Sequence, residues 1–199
     1  MSVRCVRTGY GSTVVPFPSI DDLTAALAAR SVSDHGDVFA AVMLCLRDRG
    51  RGTEVVLARR AERYGDPWSG HISLPGGRID PGDRGPLDAA VRETVEEVGF
   101  DPLDHGRLLG ALGAIPGRSR TVMVAPFATR IDTDVEPGSS SELVAAWWAP
   151  IDEYHHRMVH VREVPYEVPA LVGPGGDGRE AVVWGMTYNL LQSVRSLAG

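Results

Sequence analysis

An apolar run over Asp37–Arg47, DVFAAVMLCLR, predicts a strand buried on both faces, because a half-exposed strand would alternate apolar and polar positions. The turn DRGRG follows, and Glu54–Arg59, EVVLAR, reads as the hairpin partner. RRAERYGDPWSG is loop-like, and His71–Leu74 reads as a short strand leading into Pro75-Gly76-Gly77. Over residues 86–98 the period changes to that of a helix: Leu87, Ala90, Val91, Thr94 and Val98 share one face. Pro86 suits its first turn, where a missing N–H costs nothing, and Gly99 suits the left-handed position after its end. Beyond it, Arg107–Ile115 and Thr121–Thr129 read as strands around the turn PGRSR, and Leu143–Pro150 as a strand after the loop EPGSSSE. Ile151–His160 reads as a short helix. The Pro- and Gly-rich residues 162–180 read as a long loop of the kind that carries substrate contacts. Glu180–Gly185 reads as a late strand and Met186–Leu197 as an amphipathic terminal helix.

Ahead of the first strand, residues 1–18 read as an extended arm and Ser19–Arg30 as a helix, with Ser19 as N-cap and Asp22 three residues on. Residues 1–36 are therefore expected to form an arm and helix packed on one domain spanning 37–199. Strands on both sides of a central helix, with another helix at the end, predict an α+β fold or α/β/α sandwich. Periodicity leaves the strand order open.

The 199 residues suffice for one sizeable core. The formal net charge of −6 offers no basic surplus for a phosphate backbone, so a nucleic acid polymer is not an expected partner. A small anionic substrate remains compatible if metal ions and local arginines supply positive charge. Cys5 and Cys45 form no Cys-x-x-Cys pair, and Cys45 lies in the apolar run, as a buried side chain would. Neither a signal-peptide pattern nor an apolar stretch of roughly 18–20 residues occurs, so the reading is cytoplasmic, with no membrane partner. A homodimer is left open.

The chemistry concentrates on the 86–98 helix. Glu93, Glu96 and Glu97 stand at i, i+3 and i+4 on one face, and only Arg92 is placed to offset their charge within the helix. Such a row is either a solvated acidic face or the ligand set of a hard cation such as Mg²⁺ (or Mn²⁺).

The stretch from Gly76 to Phe100 resembles the Nudix hydrolase signature: Gly77, Arg92, Glu93, Glu96, Glu97, Gly99 and Phe100 match it. It departs at Asp83, where Glu is usual, at Thr94, where an apolar residue is usual, and in the eight residues between Asp83 and Arg92 where the signature has seven. Pro75-Gly76-Gly77, Asp80-Pro81 and Asp83 resemble the variant of the coenzyme A pyrophosphatase branch. The resemblance implies a mixed sheet between helices. It also implies metal-assisted attack of water on a nucleoside diphosphate derivative.

Carried over by position, it makes Glu93, Glu96 and Glu97 metal ligands, Glu93 and Glu97 directly and Glu96 directly or through water. Arg92 would orient a signature glutamate, and Gly76 or Gly77 would lend a backbone carbonyl, Gly77 being assigned to the metal and both glycines to substrate. Asp83 is too short for an assured metal contact. The general base is either a signature glutamate or Glu142, which resembles the base carried on a later loop in some members. The catalytic set is thus Arg92, Glu93, Glu96, Glu97 and Glu142, with Arg59 and His71 as further substrate contacts. Arg59 and Arg60, at a strand end, read as phosphate contacts or as solvated arginines, and Tyr64 and Trp68, in the loop before the box, as stacking partners for a base or as loop packing, whereas His155, His156 and His160 read as surface or packing residues.

Leu57, Arg59 or Arg60, Gly70 and Pro75 fit the branch's upstream pattern, although Ala61 replaces its Ser. Val183-Trp184-Gly185-Met186-Thr187 resembles its C-terminal segment. The branch implies cleavage of coenzyme A to 4′-phosphopantetheine and adenosine 3′,5′-bisphosphate. Nucleotide sugars, dinucleotides or nucleoside triphosphates are the rival substrates, and a non-catalytic nucleotide sensor the rival of another class.

Overall fold

The computed structural model describes residues 16–28, 38–50, 52–65, 68–117, 123–138 and 140–197. The apolar run becomes β1 (Val38–Asp48), and its side chains divide between two cores. Val42, Leu44 and Leu46 join one, Ala41, Met43 and Cys45 the other. Burial on both faces is why this run shows no alternation. β2 (Thr53–Arg60) divides the same way, Val55 and Leu57 against Val56 and Ala58.

The central sheet runs β3-β2-β1-β7-β5 with β3 (Ile72–Ser73), β7 (Met123–Ile131) and β5 (Gly106–Ala111). β4 (Gly76–Arg78) pairs with β1, β6 (Ile115–Pro116) with β7, and β8 (Leu143–Pro150) with β2. β1 and β7 are parallel and the other pairs antiparallel, so the sheet is mixed. Helix α2 (Pro86–Val98) covers one face, placing Ala89, Ala90 and Val98 in the core with Met43 and Cys45. Helices α1 (Ile20–Ala28) and α3 (Gly185–Arg195) cover the other through Leu23, Leu27, Leu190, Leu191 and Val194. The fold is an α/β/α sandwich of the α+β class. Ser19 caps α1, its hydroxyl accepting from the Asp22 N–H at 3.2 Å. Cys45 is buried and its thiol is pushed up to about 12 by burial, which leaves it inert at neutral pH; Cys5 lies outside the described residues.

Several elements differ from the sequence expectation. Ile151–His160 is no helix. A single 3₁₀ turn, Ile151–Glu153, leads into β9 (His155–His160). The expected loop 162–180 contains β10 (Glu167–Pro174), and with β11 (Glu180–Trp184) these strands form a second antiparallel sheet ordered β11-β10-β9. The prolines that argued for a loop sit where one neighbour is missing. Pro169 pairs with Met158 of β9 beyond the start of the β11 register at Ala170, and Pro174 pairs with Glu180 beyond the end of the β9 register at Val172. There the lost N–H costs no ladder bond on the vacant side. The expected strand Arg107–Ile115 is broken after Ala111, with a register shift between Leu108 and Gly110, where Gly110 takes φ +152°. The expected extended arm falls largely outside the described residues, as do Asp37, Thr121 and the end of the first expected helix. Among the described residues no helix is long and apolar enough to cross a membrane.

Candidate metal and diphosphate site

Helix α2 opens with Pro86 at its first turn and ends at Gly99, whose φ of +81° is left-handed and whose N–H closes onto the Val95 carbonyl. Its buried stripe fixes its rotation on the sheet, and that rotation aims Glu93 and Glu97 at β4. Glu97 is 5% exposed and accepts a hydrogen bond from the Gly76 N–H at 3.0 Å. Burial pushes its carboxyl up to about 7, against the pull of the Gly76 N–H and Arg60; the charges of Glu93 and Glu142 push the same way as burial. Burial also raises Glu93.

Both glycines are needed because of what lies behind them. A Cβ on Gly77 would lie 2.5 Å from the Glu93 carboxylate oxygens, and one on Gly76 would lie 2.6 Å from the Val42 Cα. The bare backbone of β4 is therefore the floor on which the helix carboxylates rest.

Arg92 holds the acidic face together. Its guanidinium grips Asp83 with two parallel bonds of 3.0 Å, donates to Glu93 at 3.0 Å and to the Arg78 carbonyl at 3.0 Å, and reaches Glu96 at 3.4 Å. Asp83, its side chain 5% exposed, is held below the usual carboxylate range by Arg92 and by the Asp80 N–H. So the residue standing in for the usual Glu anchors the arginine.

Among the described residues, no three His, Cys, Asp or Glu side chains are already drawn together as a metal cage. The donors nevertheless suit a hard divalent cation: carboxylates, one of them buried with its charge disfavoured, beside a strand whose glycines leave the backbone open. A cation would remove the penalty that now raises Glu97.

The other candidates separate by sheet face. Arg60 lies on the α2 side, 3.7 Å from Glu97. Arg59 points to the opposite face, paired with Asp177 at 3.0 Å and bonded to the Glu180 carbonyl at 2.9 Å. Strand alternation alone separates them. Glu142, half exposed, pairs with Arg63 at 3.5 Å and is near enough to Glu97 for its charge to be felt. Trp147 and Trp148 face opposite cores, Trp148 stacking with Phe100 beneath α2. His71 meets Glu163 at 3.0 Å and packs edge-on against Trp68 and Trp184. Glu163 was not singled out in the sequence, since it lies in what read as loop. His156 bonds to Arg195 and Tyr188, and His155 and His160 are exposed on β9; none of the three lies among the carboxylates.

A family model described as the NUDIX domain matches residues 37–167. An uncharacterized protein of Schizosaccharomyces pombe is 46% identical over 109 residues, 49% of this chain and 32% of that protein. The mitochondrial coenzyme A diphosphatase NUDT8 of Mus musculus is 33% identical over 108 residues, 53% of this chain and 49% of that protein. This chain thus spans a third to a half of the length of these curated relatives. Among solved structures, a Nudix hydrolase from M. smegmatis, RenU, superposes with a TM-score of 0.55 at 18% identity, over 83% of this chain and 91% of that one. That likeness bears on the fold.

Proposed function

The chain belongs to the NUDIX domain family, and on that premise we propose that it hydrolyses the diphosphate linkage of a nucleoside diphosphate derivative with a divalent cation, Mg²⁺ or Mn²⁺. The observation that carries the reading is Glu93 and Glu97 resting on the Gly76-Gly77 backbone with Arg60 beside them. Glu93, Glu96 and Glu97, with the Gly77 carbonyl, would hold the cation. When bound, the cation neutralises charge on the phosphate oxygens and acidifies water. Arg60, rather than Arg59, binds the diphosphate, because it shares the face with the glutamates. Gly76 and Gly77 let the phosphates approach the backbone. Glu142 takes the proton of the attacking water, its half-exposed side chain turning from Arg63 toward it. Arg92 keeps Glu93 and Glu96 oriented from its anchor on Asp83.

Coenzyme A or an acyl-coenzyme A is the proposed substrate. The partial likeness to NUDT8 supports this, together with the Asp80-Pro81 and Asp83 variant of the signature. The test is mass spectrometry of a mixture of coenzyme A, nucleotide sugars, dinucleotides and nucleoside triphosphates, with Mg²⁺ and with EDTA. Selective, EDTA-sensitive loss of coenzyme A is expected. Cleavage of another compound would discard the branch and keep the chemistry, and no cleavage would discard both.

Two variants probe the roles. Glu142→Gln is expected to lower kcat by about 10²-fold with KM little changed, the lower range for a positioned general base. An unchanged kcat would remove Glu142 from the mechanism. Arg92→Lys keeps the charge and loses the fork on Asp83. It is expected to cost about 10- to 100-fold in kcat with the circular dichroism spectrum intact. Wild-type kinetics would show that the fork does not orient the glutamates.

A further inference from the structure

Trp68 is 40% exposed, and the stretch from Trp68 to His71 is held by several hydrogen bonds. The Ser69 hydroxyl accepts from the Arg63 N–H and donates to the Arg63 carbonyl, both at 2.8 Å. The Ser69 carbonyl accepts from Arg162 at 2.9 Å, and the Trp68 carbonyl accepts from the His71 N–H at 3.1 Å. The indole meets the His71 ring edge-on at 5.6 Å between centroids. That ring is fixed in turn by Glu163 at 3.0 Å and by Trp184 at 5.1 Å, and the two side chains of the pair are only 15% and 10% exposed. Burial alone would raise Glu163, but the bonds from His71 and Arg162 hold it below the usual range, so an ionised carboxylate anchors the ring. A partly exposed aromatic held against a His71 ring that is itself fixed is a preorganised platform, since part of the ordering cost is already met before a planar group stacks on it.

A backbone bond joins the platform's support to the strand that carries Arg60. The register of β2 and β3 pairs Ala58 with Ser73 and Arg59 with Ile72, and the Arg60 N–H donates to the His71 carbonyl at 3.0 Å. The residue beside Glu97 is therefore bonded to the residue that supports Trp68. Arg63, bonded to Ser69, reaches Glu142 at 3.5 Å on the same loop. A nucleotide with its diphosphate between Arg60 and the glutamates can extend its base toward this loop.

We propose that Trp68, held by the His71–Glu163 pair, is the stacking platform for the substrate's nucleobase and thereby sets the preference for base-bearing diphosphates. The proposal rests on the hydrolase reading for its diphosphate site, but its test does not require turnover. ADP and inorganic pyrophosphate are titrated by calorimetry against wild type, Trp68→Ala and Trp68→Phe in the presence of Mg²⁺. Stacking on an aromatic is worth enough that Trp68→Ala should weaken ADP about 10-fold or more. Trp68→Phe should restore most of that loss, and pyrophosphate should bind all three alike. Glu163→Gln, a positioning change, should weaken ADP in the same selective way by a smaller factor. Equal losses for ADP and pyrophosphate, or no loss for ADP, would overturn the platform. Selective loss of ADP in a protein that cleaves nothing would leave the platform standing and remove the hydrolase reading. Cleavage without base-selective loss would do the reverse.

Discussion

Glu97→Gln is expected to lose activity by about 10³-fold or more with Mg²⁺, and yet to be more stable than the wild type in metal-free buffer at pH 8. The two outcomes share one cause. Glu97 is almost wholly buried, and its carboxyl is pushed up to about 7 from 4.5. In the unfolded chain it ionises near pH 4.5, but in the folded chain it keeps its proton until about pH 7. Below pH 4.5 both states are protonated and nothing is lost. Between pH 4.5 and 7 the folded state becomes progressively less favourable relative to the unfolded one, and above pH 7 the loss is complete at roughly 2–4 kcal/mol. A neutral glutamine escapes that loss and can still accept the Gly76 N–H. Urea titrations at pH 4.5 and pH 8 should show coincident curves at the lower pH and a higher midpoint for the variant at the higher one. Mg²⁺ should raise the wild-type midpoint at pH 8 and leave the variant where it was. A variant less stable than wild type at pH 8 would mean that Glu97 is held as a satisfied structural carboxylate.

Gly76→Ala carries the second large effect, on folding. Gly76 pairs with Val42 in the β1–β4 register, and its φ of +147° is one that side-chain-bearing residues rarely adopt. A Cβ there would fall 2.6 Å from the Val42 Cα and closer still to the Ala41 carbonyl, both backbone atoms of the central strand. Neither can yield without moving β1, which is buried on both faces. A loss of about 3 kcal/mol or more is expected. Metal-dependent activity should fall too, because the displaced N–H is the one that holds Glu97. Gly82→Ala is the matched control. Nothing lies within 4 Å of its Cβ position, and its urea midpoint should stay within about 0.5 kcal/mol of wild type. Equal midpoints for the two variants would show that β4 accommodates a side chain.

Much of the fold was legible because its strongest signals are local. The unbroken apolar run of β1 called for burial on both faces, and the period-3.6 stripe of α2 with Pro86 and Gly99 at its ends called for a helix of that length. The second sheet was not legible. Pro169 and Pro174 suppress a strand reading wherever they occur, and only the staggered ends of β9 and β11 explain why they are tolerated. His155–His160 carries a single buried residue, Val159, so its period of two leaves almost no hydrophobic trace.

The site divides in the same way. Spacing along one helix put Glu93, Glu96 and Glu97 on a common face, since i, i+3 and i+4 neighbours are a property of helix geometry alone. Which arginine meets them was decided by the sheet. Arg59 and Arg60 are adjacent and chemically identical, and only the pleat turns one toward Glu97 and the other toward Asp177. The pairing of Asp83 with Arg92, and of His71 with Glu163 across 92 residues, likewise depends on segments brought together by the tertiary fold. The helix, its acidic face and the central strand follow from short stretches of the chain, because their causes lie within a few neighbouring residues. The second sheet, the arginine at the site and the support beneath Trp68 were decided by tertiary structure, because their partners are close only once two sheets have packed.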